Sequence, residues 1–210
     1  MEKKDFGISN VVFDYGGVLV QYDFVAFFGR LLGSRERGQW FMSHVLPEEV
    51  GAAMDRELHP FDYYIRQQQE QWPEYADALS YFASHYTDVF TVETPGIRDL
   101  ILLLKDRGYH VYGLSNWSSK ISEVKEKYSV FGLITEELVS KDVHLLKPDP
   151  AIYQAFLDKF HLEAKSCLFL DDKSENISGC EKVGMRGLRF DREHPDHTIL
   201  AVKNLLLNNG

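Results

Sequence analysis

The 210-residue chain sets 23 Lys and Arg against 32 Asp and Glu, a net charge of -9, which argues against the basic patch that nucleic-acid binding requires. Apolar residues make up 44%, enough to bury a sizeable core and to exclude disorder for the bulk of the chain. No apolar run approaches the ~18 residues of a membrane span. The opening MEKKDFG lacks the apolar stretch of a signal peptide, and the two cysteines, Cys167 and Cys180, suit a reducing compartment; the expectation is a soluble cytoplasmic protein.

In chain order, residues 8–13 read as a buried strand. The stretch from about Asp23 to Val89 contains no convincing strand and is rich in aromatics, from Phe24 and Phe27 through Trp40 and Trp72 to Tyr86, and reads as about four inserted helices. Thr94-Pro95 predicts an N-cap with proline at the first helical position, followed by Ile97, Leu100, Ile101 and Leu104 at helical spacing and closed by Gly108. Residues 109–114 predict a second strand, and Leu138-Val139 a short third. Asp149-Pro150 repeats the start signal ahead of Ile152, Tyr153, Phe156 and Phe160. Residues 166–170 predict a fourth strand, Ser174 opens a short helix, residues 185–190 form a weak fifth strand, and the tail from Pro195 to Leu207 is a last helix. Strand–helix alternation after residue 90 predicts a parallel sheet covered by helices on both faces, interrupted after its first strand by a helical insert.

Four places carry chemistry, and each falls at or just beyond the carboxyl end of a predicted strand, the edge where open α/β sheets bind ligands. Asp14 ends an apolar strand and is followed by Gly16 and Gly17, which suits either an exposed Gly-Gly turn or a nucleophile approached closely by ligand. Ser115-Asn116 suits helix capping or a phosphate grip. Lys147, before Pro148-Asp149-Pro150, is a surface lysine or a fixed ammonium for phosphate charge. Asp171-Asp172 either faces a helix N-terminus or supplies the one or two carboxylates of a magnesium site. Each bland reading stands alone; the four together, in this order on successive strand ends, do not reduce to them.

With FDYGGVL, LSN, KPDP and FLDD in that order, the chain resembles the haloacid dehalogenase (HAD) superfamily over nearly its whole length. LSNWS, KPDPAIY and the DDKSEN run are similar to the branch holding sugar-phosphate phosphatases and the phosphatase half of soluble epoxide hydrolases. The resemblance implies a Rossmann-like core at residues 1–20 and 90–210, an all-α helical-bundle cap of subclass C1 at residues 21–89, and Mg²⁺-dependent hydrolysis of a small phosphorylated metabolite, with sugar phosphates the class suggested. It implies Asp14 as the catalytic nucleophile that becomes an aspartyl-phosphate. Asp14, Asp171 and the Gly16 carbonyl would be metal ligands, with Asp172 just outside them or bound through water. Ser115, Asn116 and Lys147 would bind the phosphoryl oxygens, Lys147 also acting in catalysis.

One departure matters. The family's phosphatases carry, two residues after the nucleophile, an aspartate that protonates the leaving group and then activates water. Here that position is Gly16, and such a group is worth ~10²–10⁴-fold. Asp23, His44, Asp55, Arg56 and His59 of the insert are substitutes by polarity alone. His144 lies near Lys147 in sequence, and His194 with His197 reads as surface loop. Two rivals remain: a metal-free 2-haloacid dehalogenase, whose D-x-Y-G-T pattern Gly16-Gly17-Val18 departs from, and a non-catalytic metal- and phospholigand-binding protein. Oligomeric state is not legible.

Overall fold

The computed structural model describes residues 7–207. In chain order the elements are β1 (Asn10–Phe13), β2 (Val20–Tyr22), α1 (Phe24–Leu32), α2 (Arg35–His44), α3 (Glu48–Arg56), α4 (Phe61–Gln71), α5 (Ala76–Ser84), β3 (Phe90–Glu93), α6 (Ile97–Asp106), β4 (His110–Ser115), α7 (Ile121–Lys127), β5 (Glu136–Val139), α8 (Ser140–Val143), α9 (Pro150–Phe160), β6 (Cys167–Asp171), α10 (Ser174–Lys182), β7 (Arg186–Arg189) and α11 (Pro195–Leu206). Five strands form one sheet in the order β5-β4-β1-β6-β7, and every neighbouring pair is parallel. The chain runs outward from β1 through β4 and β5, then returns to the other side for β6 and β7. The order therefore reverses around β1, and the carboxyl ends of β1, β4 and β6 frame the crevice where such sheets bind ligands.

Side chains alternate across a strand, and the core divides accordingly. Val11, Phe13, Val111, Leu168 and Leu170 pack on one face with Ile97, Leu100, Ile101 and Leu104 of α6 and with Ile199 and Val202 of α11. Val12, Tyr112, Leu114, Cys167 and Phe169 pack on the other with Ile152, Tyr153 and Phe156 of α9 and Cys180 of α10. A sheet covered on both faces explains why β1 and β6 read as unbroken apolar runs. No helix among the described residues is long and apolar enough to cross a membrane.

The insert is helical, as expected. Its centre is an aromatic cluster in which Phe28 stacks on Phe41 at 4.1 Å and meets Phe82 at 5.3 Å between ring centroids. The structure differs at the hinge to the core. Val20–Tyr22 and Phe90–Glu93 form a two-stranded antiparallel ribbon that the sequence did not show, because three and four residues are too few for an alternating pattern to stand out. The expected boundaries at residues 21 and 89–90 fall inside or against this ribbon. Thr94-Pro95 also requires correction. Thr94 extends the ribbon, its N–H donating to Leu19 O at 2.8 Å and its hydroxyl accepting from Gln21 Nε2 at 2.7 Å. α6 starts only at Ile97, behind Gly96 at φ 76°. The equivalent signal at Asp149-Pro150 holds, with Asp149 Oδ1 accepting from Ala151 N–H at 2.9 Å.

Candidate active site

The strand ends bring Asp14, Ser115, Lys147 and Asp171 together. Asp14 follows the last residue of β1, and its N–H donates to Leu170 O of β6 at 2.9 Å. Ser115, the last residue of β4, donates its hydroxyl to Asp14 Oδ1 at 2.7 Å. Lys147 Nζ stands 2.8 Å from Asp14 Oδ1 and 2.6 Å from Asp171 Oδ2, and donates to Leu114 O at 3.0 Å. The capping alternative for Ser115 and Asn116 fails, since α7 begins only at Ile121 without a side-chain cap. The Asn116 side chain instead binds the backbone of Lys147, donating to its carbonyl and accepting from its N–H.

The two adjacent acids part company. Asp171 is fully buried and both its oxygens are taken: Oδ1 accepts from Lys173 N–H at 2.9 Å and Asn176 Nδ2 at 3.0 Å, Oδ2 from Lys147 Nζ and from Asn176 Nδ2 at 2.9 Å. Asp172 lines the cavity with Asp14 and Gly16. Its Oδ2 lies 2.7 Å from where a Cβ on Gly17 would stand, so the glycine, at φ 81°, lets the loop after β1 close against this carboxylate. Arg192 Nη1 approaches Asp172 at 3.5 Å, and its guanidinium lies over the Tyr22 ring at 4.1 Å.

Carboxylate oxygens of Asp14, Asp171 and Asp172 all lie within 4.8 Å of one another. Burial pushes the Asp14 carboxyl up to about 6, with Lys147 opposing and the charges of Asp171 and Asp172 adding to the rise. Burial likewise raises Asp172, reinforced by Asp171 and opposed by Arg192 and Lys147. Burial alone would lower Lys147, but Asp14 and Asp171 outweigh it and raise its pKa, so the ammonium stays charged. Three crowded carboxylates with a single buried ammonium among them resist full ionisation, and a further cation relieves that repulsion. The donor set is all hard oxygen, which suits Mg²⁺. A separate group of one acid and two histidines, Asp191 with His194 and His197, lies on the surface, where Asp191 Oδ1 already accepts from the N–H groups of Glu193 and His194 at the start of α11.

The cavity over these groups measures about 570 Å³, and the insert walls it with Phe24, Met42, Leu46, Met54, Phe61, Phe82 and Tyr86. Among the polar residues proposed from sequence in the insert, Asp55 alone lines it. Asp23 caps α1 and pairs with Arg35. His44 stacks on Trp40, His59 packs against Tyr63 with the rings tilted, and Arg56 is exposed. His144 is turned away, its Nδ1 2.9 Å from Arg56 O. Sequence reasoning missed Asn176, Arg192 and Tyr22. Asn176, on the first turn of α10, was readable within DDKSEN; Arg192 and Tyr22 carry no local signal.

A profile of the haloacid dehalogenase-like hydrolases matches residues 8–184. A phosphatase of Mycobacterium tuberculosis (strain CDC 1551 / Oshkosh) is 27% identical over 215 residues, spanning 88% of this chain and 88% of the relative. An (S)-2-haloacid dehalogenase of Burkholderia cepacia is 27% identical over 113 residues, 52% of this chain and 49% of the relative, so about half of that enzyme's length is matched. Among solved structures, a HAD family enzyme of Bacteroides thetaiotaomicron in complex with magnesium and inorganic phosphate gives a TM-score of 0.69 at 20% identity, over 88% of this chain and 95% of that one. A HAD-like family hydrolase of Porphyromonas gingivalis gives 0.73 at 17% identity, over 95% and 98%. At these identities the structural likeness establishes the fold.

Proposed function

Because this chain belongs to the haloacid dehalogenase-like hydrolases, we propose that it is a Mg²⁺-dependent phosphomonoester hydrolase that works through an aspartyl-phosphate on Asp14. The observation that carries this reading is the mutual approach of Asp14, Asp171 and Asp172 within 4.8 Å. A metal-free dehalogenase has no need of three crowded carboxylates, whereas phosphoryl transfer gains from a cation beside the nucleophile. The relative from M. tuberculosis, matched over 88% of its length, is a phosphatase, which agrees.

Asp14, Asp172 and the Gly16 carbonyl would hold the metal. This exchanges the roles expected of the two adjacent acids, because Asp171 is already occupied by Lys147, Lys173 N–H and Asn176 whereas Asp172 faces the cavity. Bound there, Mg²⁺ supplies positive charge to the phosphoryl oxygens. Asp171 then serves to hold Lys147 against the nucleophile. The Lys147 ammonium, the Ser115 hydroxyl and the Asn116 N–H grip the phosphoryl group, and Asp14 is aimed at phosphorus.

The walls of the chamber bear on the alcohol. Phe24, Met42, Leu46, Met54, Phe61 and Phe82 offer a sugar few hydroxyl partners, and a buried unpaired hydroxyl is costly. In place of the sugar phosphate suggested by family resemblance, the lining favours a phosphate ester of an alcohol with an apolar body. The relatives include a sesquiterpene phosphatase of Aspergillus oryzae, 29% identical over 92 residues, 43% of this chain and 47% of that relative. The test is a Mg²⁺-dependent panel of hexose 1-phosphate, hexose 6-phosphate, aryl phosphates and medium-chain alkyl phosphates, with Asp14→Asn as the control. Apolar esters are expected to show the higher kcat/KM. Chloride release from 2-chloropropionate without magnesium, and no phosphate release from any ester, would overturn the phosphatase reading.

A further inference from the structure

A phosphatase of this kind needs a proton for the departing alcohol and a base for the attacking water, and Gly16 supplies neither. We propose that Asp55, from the last turn of α3 in the helical insert, is the general acid and base of this site. The proposal rests on the phosphomonoesterase reading and adds a catalytic residue to it.

The placement is the first argument. Asp55 lines the same cavity as Asp14, Ser115 and Lys147, beside the loop after β4, whose Ser118 N–H donates to its carboxylate. The other carboxylates of that lining are committed or peripheral: Glu48 is exposed and pairs with Lys173 at 3.4 Å, Glu175 is exposed, and Asp172 answers to Arg192.

Fixation is the second. The segment Asp55-Arg56-Glu57 is fastened to the core at each residue. Ser140 Oγ donates to Asp55 O at 2.6 Å, His144 Nδ1 lies 2.9 Å from Arg56 O, and Glu57 accepts from Ser119 N–H and Ser119 Oγ at 2.6 Å each. Glu57 and His144 both adopt left-handed backbone, φ 52° and 57°, a conformation that non-glycine residues keep only where the surroundings enforce it. Ser119 and Ser140 belong to the loop after β4 and the start of α8, so the acid is indexed to the edge of the sheet that carries Ser115. An acid–base group needs that fixed distance from the reacting atoms.

Charge agrees. Burial pushes the Asp55 carboxyl up to about 7, with Lys173, a hydrogen bond from the Ser118 backbone and Lys147 opposing the rise and Asp14 adding to it; the phenol of Tyr86 also faces this carboxylate and is itself raised by burial and by Asp55. A group balanced between its two protonation states near neutral pH suits both halves of the reaction. In the first half, Asp14 Oδ bonds to phosphorus, the bond from phosphorus to the ester oxygen breaks, and that oxygen takes the Asp55 proton and leaves as the alcohol. In the second, the Asp55 carboxylate takes a proton from water, the water oxygen bonds to phosphorus, and the phosphorus–Asp14 bond breaks to return the Asp14 carboxylate and inorganic phosphate.

The test compares wild type with Asp55→Asn and Asp55→Glu on butyl phosphate and on p-nitrophenyl phosphate, whose leaving group needs no acid, with Mg²⁺ present. Asp55→Asn is expected to lower kcat on butyl phosphate by ~10²–10⁴-fold. On p-nitrophenyl phosphate it should release about one equivalent of nitrophenolate in a burst and then stall, with the phosphorylated protein visible by intact mass. The ionisation near pH 7 in the wild-type rate profile should disappear, and Asp55→Glu should restore part of the butyl phosphate rate. Equal losses on both esters with no burst and an unchanged pH profile, or wild-type rates throughout, would overturn the assignment of Asp55 while leaving the phosphatase intact. A wild-type protein that hydrolyses neither ester would instead overturn the phosphatase reading and this proposal with it.

Discussion

The side-chain amide of Asn116 brackets the backbone of Lys147: Nδ2 donates to the Lys147 carbonyl at 2.9 Å and Oδ1 accepts the Lys147 N–H at 2.9 Å. The loop after β4 thereby fixes the residue whose ammonium bridges Asp14 and Asp171. Asn116→Ala removes both bonds and is expected to cost about 1–3 kcal/mol of stability. It should also lower kcat on p-nitrophenyl phosphate by roughly tenfold or more, since small displacements of a positioned group are costly. Urea unfolding and steady-state kinetics on the same preparation check both. Unchanged kcat in a destabilised variant would reduce Asn116 to a loop brace.

Magnesium should stabilise the fold in a pH-dependent way. Metal binding requires deprotonated carboxylates, and burial holds Asp14 near 6. The rise in Tm on adding Mg²⁺ should therefore be full above about pH 7 and shrink as pH falls through 6. Asp172→Asn should abolish most of this rise. Asp171→Asn should preserve more of it while damaging catalysis through Lys147. Thermal melts at several pH values with and without Mg²⁺ decide the matter, and the opposite ranking of the two variants would return Asp171 to the metal.

Lys147 carries a stability cost of its own. It is buried with Asp14 and Asp171, so Lys147→Met leaves two acids facing each other without their cation. Removing one partner of a buried ion pair costs about 3–5 kcal/mol. The loss should be smaller at pH 5 than at pH 8, because protonation of Asp14 relieves the repulsion. Denaturant titrations at the two pH values measure the difference, and a loss independent of pH would mean that packing dominates.

What the sequence disclosed of this site follows from where its residues sit. Asp14, Ser115 and Asp171 end continuous apolar runs, and a parallel sheet buried on both faces makes such runs visible. Lys147 was legible from its place before a well-formed helix start. Asp55 was not, since it lies on an amphipathic helix whose polar residues all look alike until the fold shows which one faces inward. The β2–β3 ribbon was too short to show a period. Thr94-Pro95 misled because the pull of the ribbon on Thr94, through Leu19 and Gln21, outweighed its local capping preference.

Gly16 has a structural reason to be glycine. A Cβ there would stand 3.2 Å from Tyr22 Cε1, and Tyr22 is held in place by Arg192, which lies over its ring and donates to its carbonyl at 3.0 Å. Gly16→Asp is thus expected to give no gain in kcat by itself. Combined with Tyr22→Ala it should recover activity in an Asp55→Asn background, because the vacated space lets the new carboxyl reach the leaving oxygen. Turnover of butyl phosphate by the single, double and triple variants tests this; a gain from Gly16→Asp alone would show that the ring yields freely.

Asp55 should also mark the stability curve of the metal-free protein. Its carboxyl is raised from 3.8 to about 7, so the folded state holds its proton where the unfolded state has released it. Folded protein then binds more protons than unfolded between about pH 4 and 7, and stability falls as pH rises across that window. Asp55→Asn removes this penalty. The difference in Tm between variant and wild type, measured with chelator present, should move in favour of the variant from pH 4 to pH 7 and stay level above. A flat difference would mean that the Asp55 carboxylate ionises at an ordinary value, and with it would go the argument that burial in the cavity wall tunes this acid for proton transfer.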